Sequence, residues 1–257
     1  VIETAALVEY LDTLLDTARI PDYPGALNGL QFGNAGRVSR IAATVDFSSR
    51  TVAAAIEQQA NLLLVHHGIF WSGTQPVTGH RYRLFRSLIE NDVAVYSSHL
   101  PLDCHGIFGN NVLLSHELGL EPTETFATYK GLPIGVRGSS KVATAALVER
   151  ASQFAAREGG KTVVTGFNPD AITTSWAICT GSGASAETLQ EATSIGVDTL
   201  IVGEGPHWTA VEANELGITI IYAGHYATET LGVRALAEHL SQHFHLDWTP
   251  VHAPTGL

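Results

Sequence analysis

The chain contains no methionine and only two cysteines, Cys104 and Cys179, among its 257 residues. With methionine absent, the numbering is read as starting after the initiator. The cysteines lie far apart and form no CxxC pair, which argues against a disulfide framework. Basic residues are scarce too: 14 Lys and Arg stand against 25 Asp and Glu, for a formal net charge of −11. No run of positive charge interrupts this balance, so general nucleic-acid binding and binding to an anionic membrane are not expected. A phosphorylated substrate remains compatible with it, since bound metal ions carry positive charge locally. No apolar stretch has the length needed to span a bilayer. The start of the chain lacks the basic flank and apolar run of a signal peptide, so a cytoplasmic protein is expected.

What is present suits a compact fold. Hydrophobic residues make up 45% and charged residues 15%, a balance that favours a buried core over disorder. The length fits one large domain or two modest ones. Histidine is the unusual component, with 12 copies. His239, His243, His245 and His252 fall in a polar C-terminal stretch and read as surface residues. The others are more informative.

The first segment reads as an amphipathic helix with Leu7, Tyr10, Leu11, Leu14, Leu15 and Ala18 on one stripe, ended by Pro21 and Pro24. A loop, Asn28-Gly29-Leu30-Gln31, precedes a strand at 41–45. A helix near 49–60, an apolar strand at 62–65, a helix near 81–90 and a strand at 93–96 follow. His99-Leu-Pro-Leu-Asp103 then leads to a helix near 110–118 that Gly119 terminates. The second half repeats the order: strand 174–179, helix 185–195, strand 199–202, helix 207–216 and strand 218–222. His225-Tyr-Ala-Thr-Glu229 and a helix near 230–242 close it. The halves correspond at Val65-His66-His67-Gly68 against Val202-Gly203-Glu204-Gly205, and at H-x-x-x-D against H-x-x-x-E. This predicts an α/β fold of two similar βαβ-type halves with mostly parallel sheets, residues 1–125 and 126–257. The less regular stretch 120–172, with a helix near 142–158, a strand at 162–165 and an Asn-Pro turn, reads as the junction opening the second half.

In open α/β sheets ligands gather beyond the carboxyl ends of the strands. Here His66 and His67 follow one apolar strand and His99 and Asp103 another. Glu204 and His207 follow the third, and His225 and Glu229 the fourth. Each piece alone has a plainer reading. The adjacent histidines share a site only if the chain turns there, which Gly68 makes easy. His225 and Glu229 have the spacing of one helical turn, though Glu229 could be a helix-start carboxylate. Pro101 argues against a regular helix at 99–103, where Asp103 could cap a tight loop. Together they predict a metal site at the strand ends, between the halves. Imidazole and carboxylate ligands suit Zn, Fe, Mn or Ni. Five candidate ligands, His66, His67, Asp103, His225 and Glu229, exceed the usual three of a catalytic zinc. They suit two ions ~3.5–4 Å apart, with Asp103 the choice for a bridging carboxylate.

At these residues the chain resembles the NIF-three-like family (domain of unknown function thirty-four), whose members are often called GTP cyclohydrolase I type 2 homologues. The matching motifs include Asn28-Gly29-Leu30-Gln31, Val65 to Trp71, His99 to Asp103, Gly109-Asn110-Asn111, Cys179 to Gly183, Gly203-Glu204 and Gly224 to Glu229 with Gly232 to Leu236. The resemblance covers nearly the whole chain and fits the compact form without an inserted domain. It implies a dinuclear metal centre on His66, His67, Asp103, His225 and Glu229, and a ring-shaped homo-hexamer whose sites face an interior cavity. Gly205-Pro206-His207-Trp208 departs from the pattern, which leaves the part played by His207 open.

The chemistry expected is hydrolysis by a metal-bridging hydroxide, since a shared water can fall from a pKa of about 15.7 to roughly 7. His99 is the candidate proton shuttle or, equally, support for Asp103. Glu204 could act as a base or orient a ligand. The family name suggests cyclohydrolase action on GTP, or on another nucleotide or phosphoester, although the chain carries no P-loop. The alternative is a non-catalytic metal-binding, delivery or assembly protein.

Overall fold

The computed structural model describes residues 1–257, which form two compact units. The first comprises residues 1–105 and 232–253, the second residues 106–231 and 254–257. The chain therefore changes unit at 105/106 instead of 125/126, and its last helix and strand belong to the first unit.

In chain order the first unit opens with β1 (Ile2–Glu3), α1 (Thr4–Leu14), β2 (Gly29–Phe32), β3 (Arg37–Val38) and β4 (Arg40–Asp46). It continues with α2 (Ser49–Glu57), β5 (Leu62–His67), α3 (Gly79–Glu90), β6 (Ala94–Ser97) and α4 (Leu100–Asp103). The second unit holds α5 (Asn110–Glu117), β7 (Glu124–Tyr129), β8 (Leu132–Ala143), α6 (Thr144–Arg157), β9 (Val163–Thr165) and β10 (Ile172–Cys179). Then come α7 (Ala186–Ser194), β11 (Thr199–Val202), α8 (His207–Leu216), β12 (Thr219–Tyr222) and α9 (His225–Thr228). Helix α10 (Thr230–Phe244) leads back to the first unit, which β13 (Asp247–Pro250) completes.

The first sheet has the order β13-β4-β5-β6-β2, with the first four strands parallel and β2 antiparallel against β6. The second has the order β7-β8-β10-β11-β12-β9, with β10, β11 and β12 parallel and the outer strands antiparallel. The duplication is visible in this order. In each unit three consecutive parallel strands are flanked, beside the third, by an antiparallel strand supplied from earlier in the chain. Both units also repeat one helix cap. The Ser48 side chain accepts from Thr51 N at 3.2 Å while Thr51 Oγ1 accepts from Ser48 N at 2.9 Å; Ser185 and Thr188 do the same at 3.2 and 2.9 Å. Such reciprocal caps satisfy two helix-end donors that would otherwise go without partners.

Alternation along the strands explains the two-faced burial. On the second sheet Ala177, Leu200, Val202 and Ile220 pack into one core, while Trp176, Ile178, Ile201 and Ile221 pack into another. The first unit gathers Val52, Leu63, Val65, Leu88 and Val95. Each large side chain buried this way stabilises the fold by about 1.5–3 kcal/mol. No helix is long and apolar enough to cross a membrane.

Four local expectations are corrected. Residues 29–32 form an edge strand instead of a loop. Strand β5 runs on through His66 and His67, where His67 lies opposite Asp46 of β4 while β6 ends opposite Val65. Residues 100–103 do form a helical turn: Pro101 sits in its first turn, where no intrahelical N–H is needed. The stretch read as a junction holds β7 and β8, an antiparallel pair at one edge of the second sheet.

Candidate metal centre

In the first unit the strand ends bring His66, His67 and His99 together, with one donor atom from each within 4.8 Å of the others. All three are buried, as is Asp103. The ring centroids of His66 and His67 are 4.9 Å apart, and those of His66 and His99 4.8 Å. Asp103 Oδ2 lies 3.5 Å from His66 Nε2.

The tautomers follow from the partners of the other ring nitrogen. His66 Nδ1 is 2.8 Å from the carbonyl of Ser98, which can only accept, so Nδ1 carries the proton and Nε2 carries the lone pair. His67 Nδ1 faces Asp46 Oδ1 at 2.8 Å, and His99 Nδ1 faces Asp22 Oδ1 at 2.8 Å. Each imidazole is thus held from behind by an oxygen with Nε2 turned forward, the arrangement that orients histidine for a metal ion. Nitrogen and carboxylate donors of this kind suit a first-row divalent ion.

Asp22 is the hub of this shell. Its Oδ1 accepts from Tyr23 N and His99 Nδ1, and its Oδ2 from Asn28 Nδ2 at 2.8 Å and Leu100 N at 2.9 Å. Burial works against its charge, but the hydrogen bond and positive potential of His99, with help from Asn28 and Tyr23, hold its carboxyl below the usual range. Asn28 Oδ1 also accepts from His99 N at 2.7 Å. Gln31 fixes the turn after β5: its Oε1 accepts from Ile69 N at 2.6 Å and its Nε2 donates to the carbonyls of Ala26 and Leu27. The Asn28–Gln31 motif therefore positions ligands without donating to an ion itself. Asp22→Asn should lower stability by about 3 kcal/mol, because amide hydrogens then face buried donors. Denaturant unfolding of the metal-free variant checks this; an unchanged midpoint would remove Asp22 from its supporting role.

In the second unit His225 opens α9 and Glu229 follows its last residue, so one turn brings Nε2 to 3.1 Å from Glu229 Oε2. On the other side His225 Nδ1 is 2.9 Å from Glu204 Oε1. Burial disfavours the charged ring, but the Glu229 and Glu204 carboxylates outweigh it and raise the pKa to about 9. Glu229 is buried, whereas 43% of the Glu204 side chain is exposed. Gly181 lies so close that a Cβ there would collide with a Glu229 carboxylate oxygen. His207 is exposed in the first turn of α8 and takes no part in this pairing.

Because the folded pKa of His225 is raised from 6.5, its ionic contribution in the ion-free protein is complete below pH 6.5 and is lost as pH climbs through about 9. The gap in melting temperature between wild type and His225→Gln, measured in chelator, should therefore narrow between pH 6.5 and 10. A constant gap would contradict the pairing.

The residues that the sequence singled out are thus placed as His66, His67, His99 and Asp103 in one unit and Glu204, His225 and Glu229 in the other. His99 is found as a further potential donor, with its Nδ1 taken by Asp22. Asp22, Asp46 and the Ser98 carbonyl enter only through the structure, which also gives the Asn28 and Gln31 of the matching motif their supporting roles.

This chain is 38% identical over 251 residues to a protein of Deinococcus radiodurans named GTP cyclohydrolase 1 type 2 homolog, covering 98% of this chain and 93% of that one. A protein of the same name from Halobacterium salinarum is 40% identical, covering 94% and 96%. The solved structure of protein ybgI, described as of unknown function, superposes with a TM-score of 0.88 at 34% identity over the full length of both chains. The family model described as Duf34/NIF3 (NGG1p interacting factor 3) matches residues 2–253, and the chain belongs to that family.

Proposed function

We propose that the protein is a metal-dependent hydrolase with two divalent ions, Zn, Fe, Mn or Ni, held by His66, His67, Asp103, His225 and Glu229. The observation that carries this reading is the common backing of the imidazoles. Ser98 O, Asp46, Asp22 and Glu204 each face a histidine Nδ1 at 2.8 to 2.9 Å. That donors of both units serve one centre is what the family resemblance implies. Bound ions would supply Lewis acidity to the atom under attack and make water a stronger acid.

The chain's own groups do the rest. Ser98 and Asp46 hold His66 and His67 in the ligating tautomer. Glu204, half-exposed against His225, accepts from Nδ1 and so orients that ring with Nε2 as its ligating nitrogen, whose proton is released when it binds an ion. His99, backed by Asp22, moves a proton to or from the reacting oxygen. The name of the Deinococcus and Halobacterium relatives suggests the substrate class: GTP or another nucleotide or phosphoester, with hydrolytic opening of a purine ring as the specific reaction. The assembly proposed is a homo-hexamer, checked by light scattering in solution.

A second reading, metal storage or delivery, draws on the grouping of His99 with His66 and His67, where it could be a third imidazole ligand instead of a proton carrier. His99→Ala separates the two. In protein purified without chelator or histidine tag, about two metal equivalents per chain are expected by mass spectrometry. A hydrolase should keep them in the variant and lose turnover on a nucleotide and phosphoester panel. Loss of metal with no activity in either protein would favour storage. Metal-free protein that stays so after reconstitution with Zn, Mn, Fe and Ni would sink both.

A further inference from the structure

A cleft of about 390 Å³ opens in the first unit beside the metal-ligand candidates, lined among others by Ser48, Ser49, His67, Trp71, His80 and Arg81. Its size is that of a small-molecule site, typically ~300–1,000 Å³. His67 belongs to both the cleft and the histidine cluster, so a molecule in the cleft reaches the ligand candidates without crossing any other element.

Arg81 gives the cleft its chemistry. Its Nε is buried and has no hydrogen-bond partner, whereas Arg86 on the same helix is paired with Glu90 at 2.7 Å. Its guanidinium lies 5.5 Å from the centroid of Phe85, which is itself stacked on Phe32 at 5.6 Å and 4°. The head thus packs against an aromatic ring while its Nε–H has no acceptor. Leaving such a donor unmet is costly, and an oxyanion is the partner that a planar guanidinium fork fits best. Asp46, the acid lining the same cleft, is already engaged by His67 Nδ1. Trp71 supplies an aromatic wall: its ring packs 4.6 Å from both His67 and His99, yet the residue stays 40% exposed. A partly exposed indole and a cation lining one cleft suit a flat molecule carrying an anionic group.

We infer that this cleft seats a phosphate group of the substrate on Arg81, with the planar part of the molecule against Trp71 and the reacting bond towards His67. The inference rests on the hydrolase reading only for that last clause; anion binding at Arg81 stands without any metal.

The test is calorimetric titration of inorganic phosphate into the metal-loaded and the chelator-treated protein, for wild type, Arg81→Gln and Asp103→Ala. Phosphate should bind the chelated wild type and Asp103→Ala alike. In Arg81→Gln its affinity should drop about tenfold or more, the loss of one charge-assisted bidentate contact, with melting temperature and metal content unchanged. Arg81→Lys, which keeps the charge and loses the fork, should fall between the two and serves if the glutamine variant does not fold. Phosphate binding that disappears on chelation, or that ignores both Arg81 substitutions, would overturn the proposal. Acetate binding as tightly as phosphate would overturn the phosphate assignment. Intact, Arg81-dependent phosphate binding in a protein that takes up no metal would support the cleft while sinking the hydrolase reading.

Discussion

Asp103→Ala is expected to yield a folded chain that keeps one metal equivalent or none, against about two in the wild type. Asp103 is buried at the end of α4 with Oδ2 3.5 Å from His66 Nε2. A histidine ligates an ion only through an uncharged imidazole, so it brings no negative charge to the site. Of the five proposed ligands only Asp103 and Glu229 carry negative charge, so the substitution removes half of what offsets the ions' charge. Loss of groups that merely orient a ligand costs 10–100-fold in affinity, and loss of a carboxylate ligand should exceed ~100-fold. Turnover should fall by at least ~10³, since several kcal/mol of charge stabilisation goes with the ion. Asp103→Asn preserves the shape and loses the charge, so it should fail in the same way. Metal analysis after dialysis against buffer decides the matter. A variant that retains both ions removes Asp103 from the ligand set.

Gly183→Ala should be the most damaging single methyl in the chain. A Cβ at Gly183 would collide with the carbonyl oxygen of Cys179 and lie 2.7 Å from its carbonyl carbon and 2.8 Å from its Cβ. The obstacle is backbone, so no rotamer change relieves it. The residues that must shift are those placing Gly181 against Glu229 and presenting the Gly183 carbonyl to Thr188 Oγ1 at 2.9 Å. A loss of roughly 4–5 kcal/mol or more belongs to this class of clash, a large part of the stability of an ordinary domain. Gly106→Ala is the control, because a Cβ there meets nothing within 4 Å and its φ is not positive. Thermal unfolding should show Gly106→Ala within a degree or two of wild type and Gly183→Ala insoluble or far less stable. Equal melting temperatures would show that the loop yields more easily than its packing implies.

Much of this architecture was legible in the chain because it is local. Apolar runs such as Leu62-Leu63-Leu64-Val65 and Thr199-Leu200-Ile201-Val202 are strands buried on both faces. The residues just beyond them carry the polar chemistry. Gly119 marked a helix end correctly and lies at positive φ, and Gly217 caps α8 in the same way. The antiparallel strands β7 and β8 of the second sheet were hidden by their composition. Leu132–Ala143 contains Pro133, Gly135 and Gly138 and has mixed exposure, so no alternation announced it. The groups behind the histidines were hidden by distance. Asp22 meets His99 from 77 positions away, out of a Pro-Asp-Tyr-Pro segment with no periodicity. Asp46 lies just past the strand expected at 41–45, and nothing in its neighbours points to His67. Spacing finds groups that share a turn or a strand end, whereas a partner supplied by tertiary folding leaves no trace in it.

The place of β13 has a consequence for the order in which the protein assembles in the cell. β4 has β5 on one side, but its other edge is covered only by residues 247–250, and Val251 joins the first unit's core. On a ribosome adding ~5–20 residues per second, that edge stays open for roughly 7–30 s after residue 105 is made. The second unit is nearly continuous in sequence and can mature meanwhile. The half that is translated first is therefore finished last, and for that interval its bare strand is the surface most in need of a chaperone.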